Sequence, residues 1–202
     1  MTKIKLCGLM QPEDIAVVNE IRPDFAGFIL SARFRRFVPP ERMLLMRRLL
    51  HPSIPAVGVF VDEPIPYILG AARDYGLTHL QLHGHETEED IRRLQEESGL
   101  PVIKAFQVAS PEDVTRAQAS PASLVLLDSG TGTGQTFRWE LIRGISRPFL
   151  LAGGLTPGTV QAAINAVHPY GVDVSSGTET DGQKDPAKLR AFADAVRSPD
   201  VL

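Results

Sequence analysis

Phe149-Leu150-Leu151-Ala152-Gly153-Gly154-Leu155-Thr156-Pro157 is the stretch that decides the fold. A short apolar run meets a glycine pair, and a threonine then stands one residue before a proline, which reads as strand, tight turn and helix start. Val160, Ala163, Ile164 and Val167 follow at helical spacing, and Val172 to Val174 opens the next apolar run. The same unit recurs upstream. Its other apolar runs are Ile4 to Cys7, Phe25 to Leu30, Val57 to Val61, His79 to Leu82, Val102 to Phe106 and Leu124 to Leu127. Most do not alternate strictly, as expected of parallel strands covered on both faces. Between them lie one-sided helical stripes such as Ile15, Val18, Ile21 and Ile65, Ile68, Leu69, Ala72, with Leu189, Phe192, Val196 near the end. Ser110-Pro111 and Asp185-Pro186 repeat the cap-before-proline signal, and Thr87-Glu88-Glu89-Asp90 resembles a capping box.

Strand followed by helix, eight times over about 25 residues each, implies parallel strands joined by right-handed crossovers. Eight such units can close into a (β/α)8 TIM barrel, an α/β fold that typically takes about 250 residues and manages with about 200. The 202 residues therefore suit a compact barrel without insertions. An open doubly wound sheet is the runner-up, but it needs a topological switch point and usually fewer units. No stretch stands out as a linker, so residues 1–202 are expected to form a single domain.

Composition narrows the function. With 43% hydrophobic and 22% charged residues, the chain is neither disordered nor collagen-like. Lys plus Arg at 21 against Asp plus Glu at 24 leaves a net charge of -3, without the basic footprint of a nucleic-acid or membrane-surface binder. A small molecule is the expected partner. One cysteine, Cys7, cannot make an internal disulfide or a multi-thiolate metal site. Met1-Thr2-Lys3-Ile4-Lys5 carries no signal-like apolar core, and no apolar run approaches about 18 residues, so a cytoplasmic location is expected. The expected assembly is a monomer or a homodimer.

Active sites of such barrels sit at the C-terminal ends of the strands, so the residues after each apolar run are the candidates. Gly153 and Gly154 after the seventh run, and Ser176 and Gly177 after the eighth, expose backbone N–H groups suited to a phosphate dianion, at the two loops where barrels often bind one. The same glycines also serve tight turns. Cys7 alone reads as a small buried hydrophobe. At the mouth of the first strand it could instead act as a base if positive surroundings, for which the arginines are candidates, raise the thiolate fraction from about 3%. Asp128 closes the sixth run as a loop anion, a cap or a proton donor, and donation would need burial or a neighbouring anion. Arg33, Arg35 and Arg36 form a basic loop that offers bidentate partners for a ligand carboxylate. His83 could shuttle a proton or merely order its loop. Asp62 and Glu63 read as first-turn helix charges.

Taken together and in order, these segments resemble the phosphoribosylanthranilate isomerase family, phosphate-binding (β/α)8 barrels of tryptophan biosynthesis. The resemblance spans nearly the whole chain. It rests on Lys5-Leu6-Cys7-Gly8, Gly27-Phe28-Ile29, Arg36-Phe37-Val38, Val57-Gly58-Val59-Phe60-Val61, Gln81-Leu82-His83-Gly84, Val102-Ile103-Lys104-Ala105 and Leu127-Asp128. Thr136-Phe137, Leu151-Ala152-Gly153-Gly154-Leu155-Thr156-Pro157 and Gly171-Val172-Asp173-Val174-Ser175-Ser176-Gly177 complete it. It implies an Amadori rearrangement of N-(5-phosphoribosyl)anthranilate, with Cys7 as general base and Asp128 as general acid. Arg36 would meet the substrate carboxylate, His83 would join the substrate contacts, and Gly153, Gly154, Ser176 and Gly177 would hold the phosphate. Neither a metal nor another cofactor is implied. Three segments depart from the family pattern. Ser31-Ala32-Arg33-Phe34-Arg35 stands where a Tyr-Pro-Lys-Ser type segment is usual, Gly130-Thr131-Gly132-Thr133-Gly134-Gln135 is short and lacks the usual Gly-Gly pair and lysine, and Arg138 replaces an aspartate before Trp139. Two other readings remain: a related isomerase of another aminated sugar phosphate, and a barrel that binds a phosphorylated metabolite without turnover.

Overall fold

A computed structural model describes residues 1–128, 139–142 and 144–198. Eight parallel strands form a closed barrel. They are β1 (Lys3–Cys7), β2 (Phe25–Ile29), β3 (Ala56–Phe60), β4 (His79–Leu82), β5 (Val102–Gln107), β6 (Leu124–Asp128), β7 (Phe149–Ala152) and β8 (Gly171–Val174). Each pairs with its successor, and β8 pairs back onto β1 with Lys5 opposite Asp173. The predicted strands match within one or two residues. Where the apolar run continues past β3, the Ser31 hydroxyl takes over from the ladder by accepting the Val61 N–H at 3.0 Å.

The helices α1 (Pro12–Ile21), α2 (Pro40–Leu49), α3 (Ile65–Asp74), α4 (Glu88–Ser98), α5 (Pro111–Ala119), α6 (Val160–Val167) and α7 (Pro186–Arg197) surround the barrel. Alternation along each strand divides the apolar residues into two shells. Ile4, Leu6, Ala26, Phe28, Leu80, Leu82, Val125, Leu127 and Val172 pack outward into the large core shared with the helices. Phe25, Val57, Ile103, Ala105, Leu126, Leu150 and Ala152 fill the lumen. The pore is thus plugged below its mouth, and His79 joins the plug edge-on to Phe25 at 5.1 Å. Burial pushes the His79 imidazole down, towards the neutral form.

Local chemistry sets the boundaries. Thr87 and Asp90 form the expected capping box, as do Ser110 and Asp113, and Asp185 accepts from the N–H groups of Ala187 and Lys188. At the start of α1 the Asp14 carboxylate accepts the Gln11 N–H at 2.9 Å, a cap that no Ser, Thr or Asn announces in the sequence. Three expectations are corrected. Thr156 is not the cap of α6: a turn intervenes, Thr159 is the cap residue, and the Thr156 N–H donates to the Thr159 hydroxyl at 3.0 Å. Asp62 and Glu63 do not lie in the first turn of α3, because Pro64 disfavours helix at Glu63 and itself caps the element. Asp62 instead has a left-handed φ of 52° and accepts the His85 backbone N–H, which with Arg33 holds its carboxyl at about 2. The helix expected after β6 is replaced, among the described residues, by a 3-10 turn at Trp139–Ile142. The stretch between Asp128 and Phe149 contains four glycines and a proline, a composition poor in helix formers. Segments 130–135, Thr136-Phe137 and Arg138, where the family pattern continues and departs, lie outside the described residues.

Candidate active site

Lys5 and Cys7 are two residues apart on β1 and share its pore face. Opposite Cys7 on β2 stands Gly27. A Cβ there would lie 2.8 Å from Cys7 Sγ and 3.2 Å from Lys5 Nζ, so the missing side chain makes room for both. The sulfur faces the pore, not the helices. The Lys5 ammonium, fully buried, donates to Asp173 Oδ1 at 2.8 Å. Burial alone would push Lys5 down, but Asp173 and Cys7 more than reverse this and hold it above its ordinary value. Burial pushes the Cys7 thiol up; Lys5 and Lys184 pull against that and Asp173 adds to it.

A cavity of about 290 Å³ opens above this cluster, at the C-terminal ends of the strands. Cys7, Asp128, Arg36, His83, Gly153, Gly154, Ser176 and Gly177 all line it, whereas Arg33 and Arg35 of the basic loop are not among its lining residues. Asp128 closes β6, with Oδ2 3.5 Å from His83 Nε2. The other ring nitrogen of His83 is 3.2 Å from Gln81 Nε2. Gln81 is buried, and its Oε1 finds no partner among the described residues, leaving an acceptor at the cavity wall.

Positive φ values at Gly153 (99°) and Gly154 (63°) turn the chain sharply after β7. Ser176–Thr178 form one 3-10 turn after β8. The two loops touch at Gly177, where a Cβ would collide with the Leu155 carbonyl oxygen and lie 2.9 Å from its carbon. Gly8 is constrained differently, by a left-handed φ of 71° and by two side-chain atoms, Arg36 Cδ and Ser175 Oγ, each 2.7 Å from where a Cβ would be.

The basic loop is held by ion pairs. Arg36 grips Glu179 through Nε at 2.6 Å and Nη2 at 3.1 Å, leaving three of its five N–H donors for other acceptors. Arg35 Nη2 meets the same carboxylate at 2.8 Å, while Arg33 pairs with Asp62 at 3.2 Å. Glu179 lies on β9 (Glu179–Thr180), which forms a hairpin with β10 (Gln183–Lys184). Lys184 Nζ donates to the Ser175 carbonyl at 2.7 Å and to Glu179 at 3.3 Å. Burial would push Glu179 up, but Arg36, Lys184 and Arg35 prevail and hold its carboxyl low. The arginine charges are thus each paired with Glu179 or Asp62, and the cations that act on Cys7 are Lys5 and Lys184. Sequence reasoning missed Lys5, Lys184 and Glu179 as site groups. A lysine two residues before a strand-end cysteine, on the same face, was the available signal for the first.

Among the described residues no His, Cys, Asp and Glu cluster could hold a metal, and no helix is long and apolar enough to cross a membrane.

Fold and site together define a compact (β/α)8 barrel whose polar groups converge on the C-terminal mouth. The profile of N-(5'-phosphoribosyl)anthranilate isomerase matches residues 4–195. The isomerase of Desulforudis audaxviator is 44% identical, covering 98% of each chain. The isomerase structure from Thermotoga maritima superposes with a TM-score of 0.91 at 36% identity, over 98% of this chain and 99% of that one. A structure of the isomerase bound to reduced 1-(o-carboxyphenylamino)-1-deoxyribulose 5-phosphate gives 0.88 at 36% identity, with the same coverage. The chain belongs to the phosphoribosylanthranilate isomerase family.

Proposed function

We propose that the cavity converts N-(5-phosphoribosyl)anthranilate into 1-(2-carboxyphenylamino)-1-deoxyribulose 5-phosphate, the isomerase step of tryptophan biosynthesis. One observation carries this reading: Cys7 on β1 and Asp128 on β6 line the same cavity as Arg36 and the turns after β7 and β8. The phosphate lies against the backbone N–H groups of Gly153, Gly154, Ser176 and Gly177, and Arg36 offers its remaining donors to the anthranilate carboxylate. His83 adds a further polar contact at the wall.

Protonated Asp128 gives its proton to the furanose ring oxygen as the C1–O bond breaks, and the anthranilate nitrogen lone pair forms the C1=N bond. The positive nitrogen acidifies the C2 hydrogen. Cys7 thiolate removes it, the C–H pair becomes the C1=C2 bond, and the C=N pair returns to nitrogen. The resulting enolamine loses its O2 proton and gains one at C1. C2 is oxidised and C1 reduced by the same two electrons, so the redox change is internal to the sugar.

A fluorescence assay on freshly generated phosphoribosylanthranilate tests the assignment. Cys7→Ser and Asp128→Asn should each lose at least about 10²-fold in kcat. Undiminished turnover in both variants would overturn it.

A further inference from the structure

We infer that Lys5 and Asp173 are a positioning pair that governs the charge state of Cys7, with one ammonium shared between a carboxylate that opposes the thiolate and a sulfur that needs it. The inference rests on the reading of Cys7 as the base, and deepens it. Three groups are brought together by the barrel's closure: Lys5 and Cys7 share one face of β1, and β8 sets Asp173 beside Lys5 in register. The ion pair at 2.8 Å is out of solvent, with the Lys5 side chain 0% and Asp173 9% exposed. Sγ and Nζ both lie within 3.2 Å of the point where a Gly27 Cβ would be.

With Cys7 as thiol, Lys5 and Asp173 cancel and the buried trio is neutral. Forming the thiolate takes the trio to one negative charge in a medium of low dielectric, which matches the direction in which burial pushes this thiol. Lys5 keeps that from becoming two. Asp173, by holding the ammonium, withholds part of its field from the sulfur. Among the described residues Lys184 of β10, which donates to the Ser175 carbonyl and to Glu179, also acts on Cys7, and Arg36 lies against the next residue, Gly8. From β2 the pore face presents only Phe25, Gly27 and Ile29.

The two partners therefore have opposite signs, which a merely structural ion pair would not. The chain contains a single cysteine, so the Cβ resonance of isotope-labelled cysteine reports Cys7 alone and needs neither turnover nor reagent access. We expect Lys5→Met to leave at least tenfold less thiolate at a given pH, Asp173→Asn to give severalfold more, and Lys5→Arg to stay nearer the parent than Lys5→Met. The acidic limb of kcat/KM should move with each. Displacements in the same direction, or none, would overturn the inference. Should Lys5→Met fail to fold, Asp173→Asn, which keeps the side chain's size, decides alone: an unchanged or raised midpoint overturns it. Opposite displacements in a protein whose Cys7→Ser variant remains fully active would support the pairing and remove the base assignment. Absent displacements with an inactive Cys7→Ser variant would remove the pairing only.

Discussion

Replacing Gly177 by alanine should damage ligand binding through the backbone alone. Its Cβ would collide with the Leu155 carbonyl oxygen, 2.9 Å from the Leu155 carbon and 3.3 Å from Thr156 Cα. All three are main-chain atoms, so relief requires the loop after β7 or the turn after β8 to move. Those are the segments whose N–H groups are assigned to the phosphate. A charge-assisted hydrogen bond contributes about 1.5–3 kcal/mol, so one misplaced donor weakens binding roughly 10- to 100-fold. Overpacking of this kind costs stability too, about 1–3 kcal/mol. Gly154→Ala is the control, since φ is +63° but nothing lies within 4 Å of the added carbon. It should cost about 1 kcal/mol of stability through the left-handed backbone and change affinity little. Gly154→Asp, which sets a carboxylate beside the phosphate, should weaken binding while the fold persists. Calorimetric titration with the reduced product analogue, alongside thermal melts, reads each effect. A folded Gly177→Ala protein with parental affinity, or equal losses in Gly177→Ala and Gly154→Ala, would refute the reasoning.

Other expectations follow from the same geometry. Arg36→Ala should lower kcat/KM at least tenfold, mainly through KM, and identical kinetics would transfer the carboxylate contact to Arg33 or Arg35. Asp113→Ala removes the acceptor of the Ala109 and Ser110 N–H groups, both at 2.9 Å, and should cost about 1 kcal/mol in urea unfolding. The Asp62 and Asp113 carboxyls are both held at about 2, below their unfolded value of about 3.9. Their stabilisation is thus present above about pH 4 and is lost as pH falls towards about 2. The Asp62→Asn/Asp113→Asn double variant should flatten the acid side of the stability–pH curve, and an unchanged slope would contradict this.

The barrel was legible because its signals are local. Short runs such as Phe149 to Ala152, bounded by glycine and by cap-proline pairs, specify strand and helix without reference to the rest of the chain. The candidate site was legible for a related reason: in parallel strands a residue's place at the end of an apolar run already fixes which rim it occupies, so Cys7, Asp128 and Gly153 could be named together. Charge pairing was not legible. Lys5 meets Asp173 only because β8 closes onto β1, and Glu179 reaches Arg36 and Arg35 only through the β9–β10 hairpin, contacts that no local pattern encodes. The arginines, candidates for the positive surroundings of Cys7, pair instead with Glu179 and Asp62, and Lys5 and Lys184 take that place. Thr156 misled in a smaller way, since cap-proline chemistry there begins a turn that precedes the helix.

The most direct measurement is single-turnover rearrangement of substrate carrying deuterium at C2, in the parent, Cys7→Ser and Asp128→Asn proteins, with product-analogue affinity measured beside it. The predicted result is a primary isotope effect in the parent, and loss of the deuteron slowed at least about 10²-fold in both variants at nearly parental affinity. A Cys7→Ser protein that still removes the C2 deuteron at the parental rate would contradict the central claim.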